Sequence, residues 1–162
     1  IKINGFQDKI KTIYNDIFNL DNNLKNSFDI VVSNPPFYKR ENNRSKNKLE
    51  DSSKRIVNLR EWLENSLKLL KDKGIIFLII STDILDDTIN HLSEKAGSFK
   101  IFPFWPDRKK LSKRVIIFAK KGGNGPTELM PGLTLYNQQG KLTKKAKLPS
   151  EIGIFNLYKQ FI

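Results

Sequence analysis

The 162-residue sequence contains no cysteine and a single histidine, and these two scarcities narrow the possible function classes. Without cysteine the chain can form neither a disulfide nor a thiolate metal site. One histidine argues against a histidine-ligated zinc site and against a Ser-His-Asp triad. The chain also lacks an apolar run of about 18 residues, so no transmembrane helix is predicted. It shows no charged-then-apolar signal segment, and we therefore expect a cytoplasmic protein.

Acidic residues are scarce as well, with 17 Asp and Glu against 29 Lys and Arg, so the formal net charge is +12. The basic residues concentrate in residues 38–60, 107–121 and 141–147. Such clusters indicate a polyanionic partner, because phosphate contacts supply most of the non-specific affinity for nucleic acids. Lysine, asparagine and isoleucine are abundant throughout, so an AT-rich coding bias is the alternative source of the lysines.

The spacing of apolar residues predicts strands interleaved with helices. Strands are predicted at Lys9–Tyr14, Phe28–Ser33, Ile75–Ile80, Phe99–Trp105, Val115–Phe118 and Leu133–Tyr136, and helices at Ser52–Asp72, Asp83–Ala96 and Ile154–Phe161. Residues 38–52 and 121–131 are predicted loops. This order favours an α/β fold with a mostly parallel sheet and a late antiparallel hairpin, in a single domain over residues 1–162.

The most informative stretch is residues 33–38, Ser-Asn-Pro-Pro-Phe-Tyr, which follows an apolar run that predicts a buried strand. The proline after Asn34 holds this residue extended, and its side chain offers a carbonyl acceptor. Pro35 and Pro36 have a fixed φ and no N–H group, so the stiff backbone presents carbonyl oxygens. Phe37 adds a flat face on which a base can stack. These features suit an exocyclic amino group held as a nucleophile, beyond the carboxyl end of a strand where open α/β sheets bind ligands. A stiff loop with no ligand is the alternative.

The strand order together with this turn resembles the second part of the class I S-adenosylmethionine-dependent methyltransferases. The Asn-Pro-Pro-aromatic motif is typical of members that act on amino nitrogens. Residues 28–38, 113–123 and 154–158 are similar to the bacterial tRNA(Val) adenine-N6 methyltransferases, and the resemblance covers essentially the whole chain. It implies transfer of a methyl group from S-adenosylmethionine to the N6 of an adenine in RNA, in tRNA near the anticodon, without a metal.

The resemblance also assigns roles to individual residues. Asn34 would hold the target amino group. Pro35 and Pro36 would form the catalytic turn, in which Pro35 supplies a backbone acceptor. Phe37 would stack on the extruded adenine. Cofactor contacts are expected from Asn34 and from Asp16, which would accept a hydrogen bond from the cofactor's adenine amino group. A plain turn or cap role is the alternative for Asp16. Substrate contacts are expected from Tyr38, Lys39, Arg40 and Arg108.

One family feature has no counterpart in the sequence, namely the Gly-rich turn after the first strand and the acidic residue that ends the second. The run Gly122-Gly123-Asn124-Gly125 does not replace it, since this run follows a late strand and precedes a proline. We therefore expect the first two strands to be missing, and the chain to be the C-terminal portion of a methyltransferase domain that need not be active alone. The alternatives are methylation of rRNA guanine-N2 or of a release-factor glutamine, or a non-catalytic RNA-binding remnant.

Overall fold

A computed structural model describes residues 3, 5–35 and 59–147. Short 3-10 helices lie at Asn22–Leu24 and Thr82–Ile84. The remaining elements are strands β1 (Phe28–Ser33), β2 (Leu70–Ser81), β3 (Ala96–Trp105), β4 (Arg114–Lys121), β5 (Glu128–Leu129) and β6 (Leu133–Thr134), and helices α1 (Leu59–Leu69) and α2 (Leu85–Ser93). The predicted loop at 38–52 and the predicted helix Ile154–Phe161 lie outside the described residues.

The strands form one mixed sheet in the order β1-β2-β4-β3-β5, and β6 also pairs with β3. β1 and β2 are parallel, whereas β4 is inserted antiparallel between β2 and β3. β5 and β6 add short parallel pairings to β3. The predicted α/β fold with an antiparallel hairpin of two late strands is therefore confirmed. This topology brings the carboxyl ends of β1, β2 and β3 and the start of β4 to one edge of the sheet, hereafter the carboxyl edge.

The central strands bury apolar side chains on both faces of the sheet. Alternation along β3 sends Ile101 into the layer beneath α1 and α2 and sends Phe102 into a second cluster on the other face. β4 behaves in the same way, with Ile117 in the helix layer and Phe118 in the second cluster. Leu133 of β6 completes that second cluster. The core is thus centred on β2, β3 and β4, and β1 lies at its margin.

Helix α1 ends at Leu69, and not near Asp72 as the apolar spacing predicts. Its last carbonyl groups are bonded by a distant segment of the chain. The backbone N–H groups of Asn26 and Ser27 donate to the carbonyl oxygens of Lys68 and Leu69, at 2.8 and 3.0 Å. A tertiary contact of this kind satisfies the open end of the helix but leaves no trace in the periodicity of the helix itself.

Other elements also differ from the predictions. α2 is shorter than the predicted helix Asp83–Ala96, because a 3-10 turn precedes it and β3 already begins at Ala96. The predicted loop at 121–131 contains the short strand β5. The first difference concerns the ends of elements, where short-range patterns carry the least information. The second concerns a strand of two residues, which is too short to show a period.

The segment Lys9–Tyr14, predicted as a strand, is not part of the sheet. Its apolar residues Ile10, Ile13 and Tyr14 are exposed. A strand requires a neighbour that accepts and donates its backbone hydrogen bonds, and no strand in the described part of the chain pairs with this segment. The prediction is wrong because the sequence pattern contains no information on the presence of that neighbour.

β1 has the predicted bounds, Phe28–Ser33, but it is not the buried strand that the sequence predicts. Val31 packs on the helix side of the core, whereas Phe28, Ile30 and Val32 are 39%, 40% and 78% exposed. The cause is its position at the margin of the sheet, where β2 is its one partner among the described strands. An apolar run therefore predicts the strand correctly and its burial incorrectly.

Candidate functional site

Asn34 and Pro35, the described part of the predicted turn and hereafter the Asn34 turn, follow β1 at the carboxyl edge. Asn34 itself is exposed, and the next residue, Pro35, is buried. On the other side of Asn34, the Oγ of Ser33 accepts a hydrogen bond of 3.0 Å from the Nε1–H of Trp62 in α1. The backbone is thus anchored on both sides of Asn34 while Asn34 stays accessible. This is the arrangement that a residue needs if it is to hold a ligand group in a fixed direction.

A second turn contains Asp16 and is connected to the first through aromatic side chains. The Oδ1 of Asp16 accepts a hydrogen bond of 3.0 Å from the backbone N–H of Phe18. The ring of Phe18 meets that of Trp62 edge-on, with centroids 5.9 Å apart and an interplanar angle of 68°. Since Trp62 also bonds Ser33, one continuous set of contacts joins Asp16 to Asn34. The structure therefore places both predicted cofactor residues in one connected region.

The turn role that was the alternative for Asp16 is observed, and it leaves the predicted role open. Asp16 is exposed, which suits an acceptor for the amino group of a ligand.

Ser33 and Trp62 are site residues that the sequence analysis missed. Trp62 flanks the apolar stripe of α1, a position that predicts core packing and nothing more. It is half-buried, and its indole N–H requires a partner once it leaves water. A serine directly before the Asn-Pro-Pro turn is a suitable acceptor, but no local pattern predicts that these two residues meet.

Arg108 lies in the loop between β3 and β4, at the same carboxyl edge as Asn34. The register fixes this relation, because Ser33 pairs with Leu78 of β2, and Ser81 at the end of β2 pairs with Arg114 at the start of β4. Three strand spacings separate β1 from β3, which is about 14 Å. The structure thus brings the predicted substrate residue Arg108 to the predicted catalytic edge, some distance along it from Asn34.

The β3–β4 loop is held by the carboxylate of Asp107. Its Oδ1 accepts a hydrogen bond of 2.8 Å from the backbone N–H of Lys109, and its Oδ2 lies 3.2 Å from the Nζ of Lys110. The bond from the Lys109 amide is the main cause that lowers the pKa of the Asp107 carboxyl, and the Lys110 ammonium adds to it. Arg108 is exposed in this fixed loop.

Five predicted site residues, Pro36, Phe37, Tyr38, Lys39 and Arg40, lie outside the described residues. Their roles stay predictions. Within the described ranges, no group of three His, Cys, Asp or Glu side chains is placed to hold a metal ion. In that same part of the chain, no helix is long and apolar enough to cross a bilayer.

The Gly-rich run after β4 has a structural role that its sequence leaves unexplained. The backbone N–H of Gly125 donates to the Oγ of Ser98 at 2.9 Å. A Cβ atom added to Gly97 would overlap the carbonyl oxygen of Gly123. These glycines therefore allow two backbone segments to approach closely beside β3, and the run opens no helix.

Residues 2–99 match the family described as Eco57I restriction-modification methylase. The chain belongs to this methylase family. The matched range contains the Asp16 turn, β1, Asn34, α1 and β2, which is the part of the chain that builds the candidate site. The predicted membership of a methyltransferase family is confirmed, and its narrower assignment to tRNA stays a prediction.

Similarity to a solved structure supports the fold. The chain is similar to the crystal structure of a predicted O-methyltransferase, Atu636 from Agrobacterium tumefaciens, with a TM-score of 0.66 and 14% identity over 84% of this chain and 60% of that one. The chain thus spans about 60% of the length of Atu636, and at this identity the likeness concerns the fold alone. The M1.HpyAVI–SAM complex aligns over 72% of this chain and 58% of that one, with 15% identity, but its TM-score of 0.39 is too low to support a shared fold. No curated protein matches the chain.

Proposed function

We propose that this chain is part of an enzyme that transfers a methyl group from S-adenosylmethionine to the exocyclic N6 of an adenine in RNA, in tRNA near the anticodon. The observation that carries the proposal is the Asn34 turn. Asn34 is exposed at the carboxyl end of β1, between the anchored Ser33 and the buried Pro35. The family match includes this turn, which supports the methyl-transfer part of the proposal.

The chemistry that this turn can perform is orientation of an amino group. The side-chain carbonyl of Asn34 can accept one N–H of the substrate, and the backbone carbonyl of Pro35 can accept the other. With both N–H directions fixed, the nitrogen lone pair is aimed at the methyl carbon. Such alignment replaces an unfavourable encounter in solution and is the principal rate effect expected from these residues.

S-adenosylmethionine, when bound, supplies the methyl group. Asn34 and Asp16 are the described residues that would hold it, and both are exposed, in the region that Phe18 and Trp62 join. The exposed carboxylate of Asp16 can accept a hydrogen bond from the adenine amino group of the cofactor. The anchored Ser33–Trp62 pair keeps Asn34 in register with that region.

The distribution of charge supports a nucleic-acid substrate. The β3–β4 loop contains Arg108, Lys109, Lys110 and Lys113, against the single acid Asp107. It lies at the carboxyl edge, along which a polynucleotide that delivers its base to Asn34 would run. An unpaired loop base is the cheapest to deliver, because extruding a base from a duplex costs a few kcal/mol.

The family description, a restriction-modification methylase, favours a second candidate, methylation of a base in DNA. The Asn34 turn serves either substrate equally well, since bases of RNA and DNA both present exocyclic amino groups. The two candidates differ in the nucleic acid that the basic surface binds. They are therefore distinguished by testing RNA and DNA as methyl acceptors, and substitutions in the turn do not distinguish them.

Tritium transfer from labelled S-adenosylmethionine tests the proposal, with the gene product as the cell makes it. Bulk tRNA, single-stranded DNA, duplex DNA and a release factor are offered in parallel. We expect label in tRNA, and we expect Asn34→Ala to lower the rate on the order of 100-fold. Asn90→Ala, at an exposed position of α2, is the matched control.

Each outcome of this assay is decisive for one part of the proposal. Label in DNA alone would replace the RNA substrate with the second candidate. Label in the release factor alone would remove nucleic acid as the substrate. An Asn34→Ala variant as active as Asn90→Ala would overturn the role of the turn.

A further inference from the structure

A groove lies beside the β3–β4 loop, on the side of the loop away from β1. Its volume is about 890 Å³. One wall is the loop itself, with Asp107, Arg108 and Lys109. The other wall comes from residues within 132–138 and 143–145, which have no part in the proposed methyl transfer at the Asn34 turn.

The groove is a built feature, because backbone hydrogen bonds fasten its two walls together. β6 pairs with the end of β3, and the N–H of Leu135 donates to the carbonyl of Trp105 at 2.8 Å. One residue further on, the N–H of Tyr136 donates to the carbonyl of Pro106 at 2.9 Å. The Oγ1 of Thr143 then bonds the carbonyl of Thr134 at 2.7 Å, which closes the far wall. The lining residues are therefore held in fixed relative positions.

The charge of the groove is strongly one-sided. Arg108, Lys109, Lys144 and Lys145 line it and are exposed. Its acid is Asp107, whose carboxylate is already bonded by the Lys109 amide and by Lys110. Among the residues that the structure describes, no ion pair involves the side chains of the four lining bases. Four positive charges in a fixed concave surface suit a run of phosphates.

An aromatic ring lies among these charges. Tyr136 lines the groove and is 43% exposed, although its backbone is fixed to Pro106. Basic side chains interleaved with an accessible ring are the arrangement by which proteins hold single strands, since phosphates meet the charges and an unstacked base meets the ring. A duplex would keep its bases stacked and would leave such a ring without a partner.

We propose that this groove binds a single-stranded polynucleotide segment adjoining the target nucleotide, with its phosphates on Arg108, Lys109, Lys144 and Lys145 and one base stacked on Tyr136. The proposal deepens the proposed function and rests on it for the identity of the enzyme. The position of the groove agrees, because β3 ends at the same carboxyl edge as β1.

Fluorescence anisotropy with a short labelled single-stranded RNA, in the absence of S-adenosylmethionine, tests the binding directly. The same sequence as single-stranded DNA and as duplex forms the other arms. The association constant falls as salt rises, with a slope of log K against log salt of about −0.7 per phosphate contact for a single strand. Because the Lys144→Ala/Lys145→Ala double variant loses two such contacts, we expect its slope to be less steep by about 1.4. Tyr136→Ala should weaken binding on the order of 10-fold, and Tyr136→Phe should retain it.

The matched control is Lys95→Ala/Lys120→Ala, which removes the same charge from exposed lysines at the opposite edge of the sheet. If this control lowers the salt slope as much as the groove variant, the attraction is diffuse and the groove is not a site. Equal binding by Tyr136→Ala and by the unchanged protein would refute the proposed stacking of a base on Tyr136. Preference for the duplex would overturn the single-strand assignment.

The inference and the proposed function can fail separately. Groove-dependent binding without methyl transfer to any nucleic acid would leave the groove standing and refute the enzyme. Methyl transfer whose KM is unchanged in the Lys144→Ala/Lys145→Ala variant would leave the enzyme standing and refute the groove.

Discussion

The hydrogen bond between Trp62 and Ser33 is the contact whose removal tests the architecture of the site most directly. The donor–acceptor distance of 3.0 Å is normal for an N–H···O bond, and the pair is partly buried. Trp62→Phe removes the donor but keeps an aromatic ring against Phe18, and Ser33→Ala removes the acceptor. Each single change should cost about 1 kcal/mol of unfolding free energy. The double variant should cost less than the sum, since the second change finds no bond left to break.

A double-mutant cycle measures that difference. Urea unfolding of the four proteins gives the free energies, and we expect a coupling of about 1 kcal/mol between Trp62 and Ser33. The matched pair is Trp62 with Ser93, whose Oγ bonds the carbonyl of Asn90 within α2 and should couple to Trp62 by less than about 0.3 kcal/mol. If the Trp62–Ser33 coupling is as small as that of the control, this bond does not anchor the Asn34 turn.

Two further predictions concern the segments around the groove. Gly132 and Gly140 both have φ near +75° (75° and 73°), but a Cβ atom at Gly132 would overlap the carbonyl oxygen of Pro103, whereas at Gly140 nothing lies within 4 Å. Gly140→Ala should therefore cost about 1 kcal/mol and Gly132→Ala at least about 2 kcal/mol more in urea unfolding, and equal costs would contradict the steric argument. The lowered pKa of Asp107 means that its contribution to stability is present above its unfolded pKa, about 3.9, and is lost as the pH falls through the folded value. Asp107→Asn should thus flatten the fall of the urea midpoint below about pH 4, and an unchanged slope would show that this carboxyl is not perturbed.

The sequence predicted correctly those strands that carry a continuous apolar run and that pair with neighbouring strands in the core of the sheet. β4 and the regular part of β2 carry continuous apolar runs, and both were located within a few residues. Lys9–Tyr14 carries a similar pattern but has no described partner strand, so it is not a strand. The end of α1 at Leu69 depends on carbonyl bonds from Asn26 and Ser27, which apolar spacing does not encode.

The candidate site divides in the same way between local and distant contacts. Asn34 and Pro35 were predicted because proline restricts its own backbone and that of the residue before it, which is a property of the local sequence. Trp62 was missed because its role arises from contacts with Ser33 and Phe18, which are 29 and more residues away in the chain. A motif thus identifies the residue that contacts a ligand, and the fold is needed to identify the residues that position it.

The order of the strands explains why one edge of the sheet can combine recognition with chemistry. Because β4 runs antiparallel between β2 and β3, the loop that precedes β4 returns to the edge at which β1 ends. If β4 ran parallel to β3, the connection between them would have to cross from this edge to the opposite one, and its basic residues would not all stay at the edge of Asn34. The hairpin therefore places the end of β3, from which the loop with Arg108 leaves, about 14 Å along the same edge from the Asn34 turn, and the groove lies beyond it. A single strand bound in the groove could then present its base to Asn34 along the same edge of the sheet. The salt dependence of binding and the rate of methyl transfer would therefore both report on this edge.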